Sequence, residues 1–458
     1  MIKQLNKKEF MGIEPIGPLL WKLSAPAIIG MLANALYNLV DTIFIGQGVG
    51  SMAIAGVSIA FPMQMIIGAF AMMFGVGAAS ILSLRLGERD EKGATRAAGN
   101  AMVMAVIMGA LITVVGLLFL TPSLEFFGAS PGIIEYSRDY ISIVYLGAIF
   151  SSFSIVCNNL IRAEGNAKQS MKIMLVGTIA NIIMDPIFIF VFHMGVKGAA
   201  LATAIAPVLS SIVALRYFIT GKSILSFSRS AFLLKFKMVK DTMLLGTSSF
   251  IRQIGGSVVA ILVNNLLGKY SGDNAIAAYG MINKLTIFFL MPMFGIVQGF
   301  QPIAGFNYGA QKYKRVREVM KITAIVCSLY GLTISLINIS FARTLLSIFG
   351  SDEEVLKLAI PALRMLMSTM VLIGIQVTGS TYFQAIGASA QAIFFGLSRQ
   401  FIVLIPALLL LPQVIGLNGV WLSFPLSDIL ATVLTTIGTL LALKKLPKEN
   451  RLVPVLNT

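Results

Sequence analysis

Asp41, in LYNLVDTIFIG, and Asp185, in NIIMDPIFIF, place carboxylates inside otherwise apolar stretches of membrane length. A carboxylate near the centre of a bilayer costs about 2.5–3.5 kcal/mol on insertion scales, so such residues mark ion or proton pathways. Asn181 stands four residues before Asp185 and shares its helix face. Pro186 follows at once; lacking an amide hydrogen, it can kink the helix or free a backbone carbonyl. Thr203, in the next apolar stretch, adds a hydroxyl. Two carboxylates, an amide and a hydroxyl form an oxygen-rich set suited to a hard cation such as Na+. Equally, two neighbouring carboxylates in a low dielectric share one proton, so Na+ and H+ compete for the same residues.

The elements that must position these residues are apolar helices. The chain has 458 residues, 57% hydrophobic and 12% charged, which is too little charge for a soluble protein of this length. Twelve stretches are long and apolar enough to span a bilayer: 18–46, 52–84, 94–120, 132–160, 169–193, 197–220, 240–267, 275–308, 315–341, 356–384, 391–414 and 418–443. They are continuously apolar rather than alternating, which excludes a closed barrel. The expected fold is an all-α integral membrane protein with twelve transmembrane helices. By helical rise, Asp185 lies about 12 Å below the outer end of its span, and Asp41 and Thr203 each about 8 Å below theirs. These depths are close enough for the side chains to meet.

The net charge of +16 follows from topology rather than nucleic-acid binding. Lys3, Lys7, Lys8 and Lys22 open the chain; Arg85, Arg89, Lys92 and Arg96 lie between spans two and three. Arg162, Lys168 and Lys172 lie between four and five, and Arg216, Lys222, Arg229, Lys235, Lys237 and Lys240 between six and seven. Lys312, Lys314, Arg315, Arg317 and Lys321 lie between eight and nine, and Lys444, Lys445, Lys448 and Arg451 close the chain. The alternate loops hold little beyond Arg138, Lys197, Lys269, Arg343 and Lys357. This positive-inside pattern puts both termini in the cytoplasm of a multi-pass protein of the cell (inner or plasma) membrane. The first apolar run is too long for a signal-peptide core and reads as a retained span. Cys157 and Cys327 fall within spans and read as packing residues.

The chain repeats at an offset of about 222 residues. Leu86-Gly87 matches Tyr308-Gly309, Phe127-Gly128 matches Phe349-Gly350, and Ala53-Ile54-Ala55 matches Ala275-Ile276-Ala277. Ala163-Glu164-Gly165 matches Ala385-Ile386-Gly387, and Gly195 to Gly198 matches Gly416 to Gly419 at 221. Six spans per repeat is an even number, so the two six-helix bundles form a parallel internal repeat. The expected domains are an N-terminal lobe, 1–220, a basic cytoplasmic linker, 221–240, that can form an amphipathic surface helix, and a C-terminal lobe, 241–458. At this offset Asp41 maps to Val263 and Asp185 to Ala407, so only the first repeat carries the acids.

LYNLVDTIFIG, the loop LRLGERDEKGA, RAEGNAKQSM after span four, and NIIMDPIFI followed by GVKGAALAT resemble the multidrug and toxic compound extrusion (MATE) family over nearly the whole chain. The resemblance implies a cation site in the N-terminal lobe at Asp41, Asn181, Asp185 and Thr203. It adds Pro26 as a bend point in span one, whose straightening and bending accompany proton exchange. Asn34 and Tyr37, two turns and one turn before Asp41, can line the same cavity. Some members also use an acid in span ten; MLMSTMVLIGIQVTGSTYF here has none.

The second half holds Arg252, Lys284, Arg399 and Asp428 within spans. Arg399 and Asp428 can pair inside the lobe, while Lys284 or Arg252 facing a cavity would tune the charge of the substrate. Met and Phe number 24 and 30; those lining a cavity would suit a promiscuous site. His193 reads as a surface residue at the outer end of span five. Gly75-Val76-Gly77 lacks a strand context, and there is no Walker A pattern and no Cys/His cluster, so neither an enzyme nor an ATP-driven pump is indicated. The expected function is H+- or Na+-coupled antiport exporting amphipathic organic compounds by alternating access, by a monomer in the lipid bilayer, with no cofactor. The alternatives are a flippase for lipid-linked precursors, which would gather Arg252, Lys284 and Arg399 around a pyrophosphate, and a membrane-embedded enzyme.

Overall fold

A computed structural model describes residues 9–350 and 352–447. Lys3, Lys7, Lys8, Lys448 and Arg451, and with them the two termini, lie outside the described residues. Regular structure among the described residues is helical throughout: α1 (Ile16–Gly48), α2 (Ser51–Gly87), α3 (Glu91–Leu118), α4 (Leu120–Phe126), α5 (Ile134–Leu146), α6 (Ala148–Ala163), α7 (Ala167–Pro186) and α8 (Gly195–Ile219), then α9 (Phe236–Gly309), α10 (Tyr313–Ser340), α11 (Ala342–Ser347), α12 (Glu353–Met367), α13 (Met370–Ala385), α14 (Ser389–Leu397), α15 (Ile405–Ile415) and α16 (Leu417–Lys445). Two π-helical stretches, Ile187–Val191 and Ser398–Leu404, extend α7 and join α14 to α15.

Side chains set several of the starts. Asp90 accepts a hydrogen bond from the Gly93 amide (2.8 Å), Asn166 from Gln169 (3.3 Å), and Asp352 from Glu354 (2.9 Å), each satisfying a first-turn donor.

Among the described residues nine helices are long and apolar enough to cross a membrane, or up to eleven if each bent pair counts as one span. The bent pairs are α5–α6 (54°) and α12–α13 (47°). Unbroken, the 74 residues of α9 would reach about 110 Å, more than three times the hydrocarbon thickness of about 30 Å. The helix breaks at Gly272 (φ 68°, ψ −160°), a conformation open to glycine, and the expectation of twelve spans rests on that break.

The backbone breaks recur at the offset read from the sequence. Left-handed residues pair as Gly50 (φ 112°) with Gly272 (68°), Arg89 (62°) with Gln311 (56°), and Gly165 (86°) with Gly387 (81°). Gly195 (57°) and Gly416 (59°) fall at the 221 offset. The chain thus leaves its helices by matching routes in both halves.

The chain forms two compact units, Met1–Phe10 with Ile29–Phe250, and Met11–Ile28 with Ile251–Thr458. This partition differs from a cut at 220 and 240. Residues 221–250 pack within the first unit. Buried Asn100 of α3 donates to the carbonyls of Ala231 (3.0 Å) and Leu233 (3.1 Å) and accepts from the Lys235 amide (2.8 Å). Captured in this way, the connection forms one 3₁₀ turn, Arg229–Ala231, instead of an amphipathic helix before α9 begins. In the second unit the Asn307 side chain donates to the Met11 carbonyl (2.9 Å), and Arg315 donates to the carbonyls of Met11 (3.1 Å) and Glu14 (2.6 Å).

Backbone-to-backbone contacts fix both exchanged helix starts. In the first unit, a Cβ on Gly77 of α2 would stand 2.0 Å from the Thr242 carbonyl oxygen, and one on Gly246 would stand 1.8 Å from that of Met73. In the second, a Cβ on Gly299 would stand 2.8 Å from the Ser24 amide nitrogen. Gly77 and Gly299 are repeat equivalents, as are Ser24 and Gly246. Close approach at small residues is the usual way membrane helices gain packing and hydrogen bonds that lipid cannot supply.

Gly246→Ala is therefore expected to lower stability by about 2 kcal/mol through overpacking. Gly256→Ala, with no atom within 4 Å of its added Cβ, should be neutral or slightly stabilising through helix propensity. Thermal unfolding of both variants in detergent compares them directly; equal midpoints would contradict the close-approach argument.

Candidate functional site

α7 buries one stripe, running through Ala167, Ser170, Ile173, Thr178, Asn181 and Asp185. The stripe packs on α8, whose opening turns carry the fully buried Ala199, Ala200 and Ala202. These small side chains let the helices approach, and Ser210 of α8 donates to the Ile173 carbonyl (3.1 Å). Asp185 is 0% exposed, Asn181 2% and Asp41, on the later part of α1, 9%. Thr203 of α8 is half-buried.

The two carboxyl groups lie close enough to interact with each other. Tyr37, one turn before Asp41, is half-buried beside both acids. Buried Tyr140 of α5 lies beside Thr203, Asp41 and Asp185, and its hydroxyl donates to Gln64 Oε1 of α2 (3.5 Å). The sequence reading missed Tyr140 and Gln64. Their signal is modest: one phenol and one amide in otherwise apolar spans. Asn34 is exposed. His193 is exposed, as expected of a surface residue.

Beyond the contacts these residues make with one another and with Tyr140, no group among the described residues answers Asp41 Oδ1, the carboxyl oxygens of Asp185, the side-chain polar atoms of Asn181 or Thr203 Oγ1. Buried polar atoms left without a partner are costly, which marks this cluster as a place where a proton or an ion can bind. No group of three or more His, Cys, Asp or Glu residues gathers to hold a metal ion among the described residues. A bound cation would therefore draw on Asn181 and Thr203 as well as the two acids.

The backbone departs from regular α-helix at this cluster. Pro186 cannot donate to the preceding turn, and the chain passes directly into the π-helical stretch 187–191, in which the Phe192 amide reaches the Ile187 carbonyl (2.9 Å). A second π-helical stretch, 398–404, carries Arg399 in the other unit.

There the chemistry is closed. Arg399 Nε donates to Asp428 Oδ1 (2.5 Å), and the Thr369 hydroxyl donates to Asp428 Oδ2 (2.7 Å). Asp428 is 2% exposed at its side chain, and both of its oxygens are answered by the protein. Thr369 stands at the bend between α12 and α13. Lys284 is exposed and Arg252 half-buried, both on α9. Cys157 and Cys327 are buried and unpaired. Pro26 lies buried within α1, three residues before the point where that helix passes from the second unit to the first.

The MatE family model matches the chain twice, over residues 26–187 and 249–409. The multidrug export protein MepA of Staphylococcus haemolyticus (strain JCSC1435) is 28% identical over 406 residues, covering 88% of this chain and 89% of that protein. MepA of Staphylococcus aureus (strain MRSA252) is 26% identical over 419 residues, covering 92% of each. Among solved structures, MATE in complex with MaD3S shares 25% identity with a TM-score of 0.90, covering 96% of this chain and 99% of that one. An outward-facing multidrug resistance MATE family transporter of the MOP superfamily gives 25% and 0.90, over 95% and 98% of the two chains.

The two polar clusters predict opposite responses to substitution. Asp185→Asn replaces a buried carboxyl that no cationic side chain answers with a neutral amide of the same shape, so thermal stability should stay level or rise. Arg399→Leu strands a buried carboxylate and should cost about 3 kcal/mol, at the low end for a broken buried pair because the Arg399 side chain is 24% exposed. Unfolding midpoints of the purified variants in detergent measure both, and a larger loss in Asp185→Asn would reverse the assignment.

Proposed function

The chain belongs to the MatE family, and from that membership we propose that it is a cation-coupled antiporter. It exports amphipathic organic compounds by alternating access in exchange for H+ or Na+. MatE proteins are transporters rather than enzymes, and the MepA relatives are named multidrug export proteins, which supports the substrate class. We place it in the cell (inner or plasma) membrane as a monomer with both termini cytoplasmic.

The observation that carries the reading is the unsatisfied set at Asp41, Asn181, Asp185 and Thr203. A proton shared between the two acids would remove one buried charge. A Na+ ion would draw on the carboxyl oxygens, the Asn181 carbonyl oxygen and the Thr203 hydroxyl, all hard ligands suited to it. Either ion stabilises the arrangement in which this cluster is closed. Antiport then requires that ion and substrate lower each other's affinity, and by linkage the effect is reciprocal. Tyr37 and Tyr140 border the acids and limit water around them. Pro26 supplies the bend point of α1.

The flippase alternative needs Arg252, Lys284 and Arg399 free for a pyrophosphate. Arg399 pairs with Asp428, which weighs against that alternative.

The test is reconstitution in liposomes with an imposed H+ or Na+ gradient and a fluorescent cationic dye. Dye movement should follow at least one gradient, and Asp41→Asn should abolish the gradient-driven component. Transport that ignores both gradients, or survives Asp41→Asn unchanged, would sink the proposal. Thr203→Val separates the ions: it should raise the Na+ concentration needed for coupling if Na+ is the ion, and leave the dependence on a pH gradient nearly intact if H+ is.

A further inference from the structure

We propose that the first unit carries a binding site for one anionic phospholipid on its basic side, in a groove walled by α3, the end of α8 and the connection between the repeats. The groove has a volume of about 610 Å³, within the range of ordinary small-ligand sites. Val103, Val106 and Ile107 of α3 form one wall, and Phe218 of α8 with Phe227 and Phe232 of the connection form the other. The aromatic wall is continuous. Phe218 meets Phe227 edge-on at 5.5 Å between ring centroids, and Phe227 stacks on Phe232 at 5.5 Å. The two hydrogen bonds that Asn100 donates and the one it accepts from the Lys235 amide hold this connection against α3, so the wall is built into the fold.

Charge complementarity identifies the occupant. Arg96 precedes Val103 and Ile107 by seven and eleven residues, so it lies on the same face of α3, about 10 Å nearer the basic end than Val103. Its Nε atom is buried with no hydrogen-bond partner among the described residues. Arg229 and Lys235 flank Phe232 in sequence and are exposed. No ion pair with a carboxylate engages any of these three cations among the described residues. An apolar slot with Arg96 farther along the same face of α3, and Arg229 and Lys235 each three residues from Phe232, suits a lipid whose phosphate charge its headgroup leaves uncompensated. Arginine favours phosphate because its planar fork presents several donors at once. A zwitterionic lipid would bring its own cation toward the same cluster, and a cationic transport substrate would be repelled by it.

Native mass spectrometry of the purified full chain tests this, after incubation with equal amounts of phosphatidylglycerol and phosphatidylcholine bearing the same acyl chains. Phosphatidylglycerol should be retained preferentially. Arg96→Gln should reduce its retention about five-fold, the loss expected for one cation near an anionic headgroup. Arg96→Lys should retain most of it. Val106→Trp, and independently Val103→Trp, should fill the groove and lower retention of both lipids. Thermal unfolding in detergent shows which variants remain folded, and either groove-filling variant suffices. Equal retention of the two lipids, retention unchanged by the arginine and groove-filling variants, or occupation of the groove by the cationic dye in place of lipid would overturn the proposal.

Discussion

Hydrocarbon offers a buried carboxylate nothing to bind, so each acid inside the spans must be answered by the protein or by what the protein carries. The second unit answers from within. Asp428 accepts from Arg399 and Thr369, and the guanidinium serves as a tethered cation. The first unit leaves Asp41, Asp185, Asn181 and Thr203 with polar atoms that no group among the described residues answers beyond this cluster and Tyr140. The acid of the second unit is paired within the protein, and the proposed ion site lies at the unpaired acids of the first.

The helical frame does not require the acids. At the repeat offset, Asp41 corresponds to Val263 and Asp185 to Ala407, both buried in the second unit. Equivalent backbone breaks, bent helix pairs and glycine approaches persist around these apolar substitutes. The repeat therefore supplies position, and the side chains added to it supply chemistry. One member of each charged set, Asp185 and Arg399, stands at or beside a π-helical stretch, where the regular backbone ladder is interrupted. Such interruptions frequently accompany function because they re-aim side chains within a helix.

Much of this was legible in the sequence because a membrane enforces simple rules. Long apolar runs, the basic loops and the five matched motifs fixed the helical class and the repeat offset. Asp41 and Asp185 stood out because charge in an apolar run is costly, and Asn181 followed from its four-residue spacing to Asp185. Tyr140 and Gln64 did not stand out: tyrosine and glutamine are tolerated in spans, and only tertiary packing shows that Tyr140 lies beside the acids and Gln64 beside Tyr140. The packing of residues 221–250 on the first unit was also hidden, since it rests on Asn100 reaching backbone carbonyls more than a hundred residues away. The same capture explains why the basic connection is not an amphipathic helix. The sequence pattern there allowed one, but the carbonyls of Ala231 and Leu233 are held by a side chain.

The two acids differ in the freedom of the segments that carry them. Asp185 lies on the buried face of α7, pressed against the small residues of α8, with its neighbour Pro186 already accommodated by a π-helical stretch. Asp41 lies on α1, which starts in one unit and ends in the other. Pro26 removes the amide that would bond to the Lys22 carbonyl, so the ladder of α1 is weakest just before the helix changes unit. In the proposed mechanism a bend there would re-aim Tyr37 and Asp41 together. An ion held by both acids would draw α1 toward α7, and its loss would remove that attraction and restore the repulsion between the two carboxylates. In the proposed mechanism the ion therefore acts on the direction of α1, and the placement of one acid on each side of this mechanical contrast is what makes its binding a conformational event.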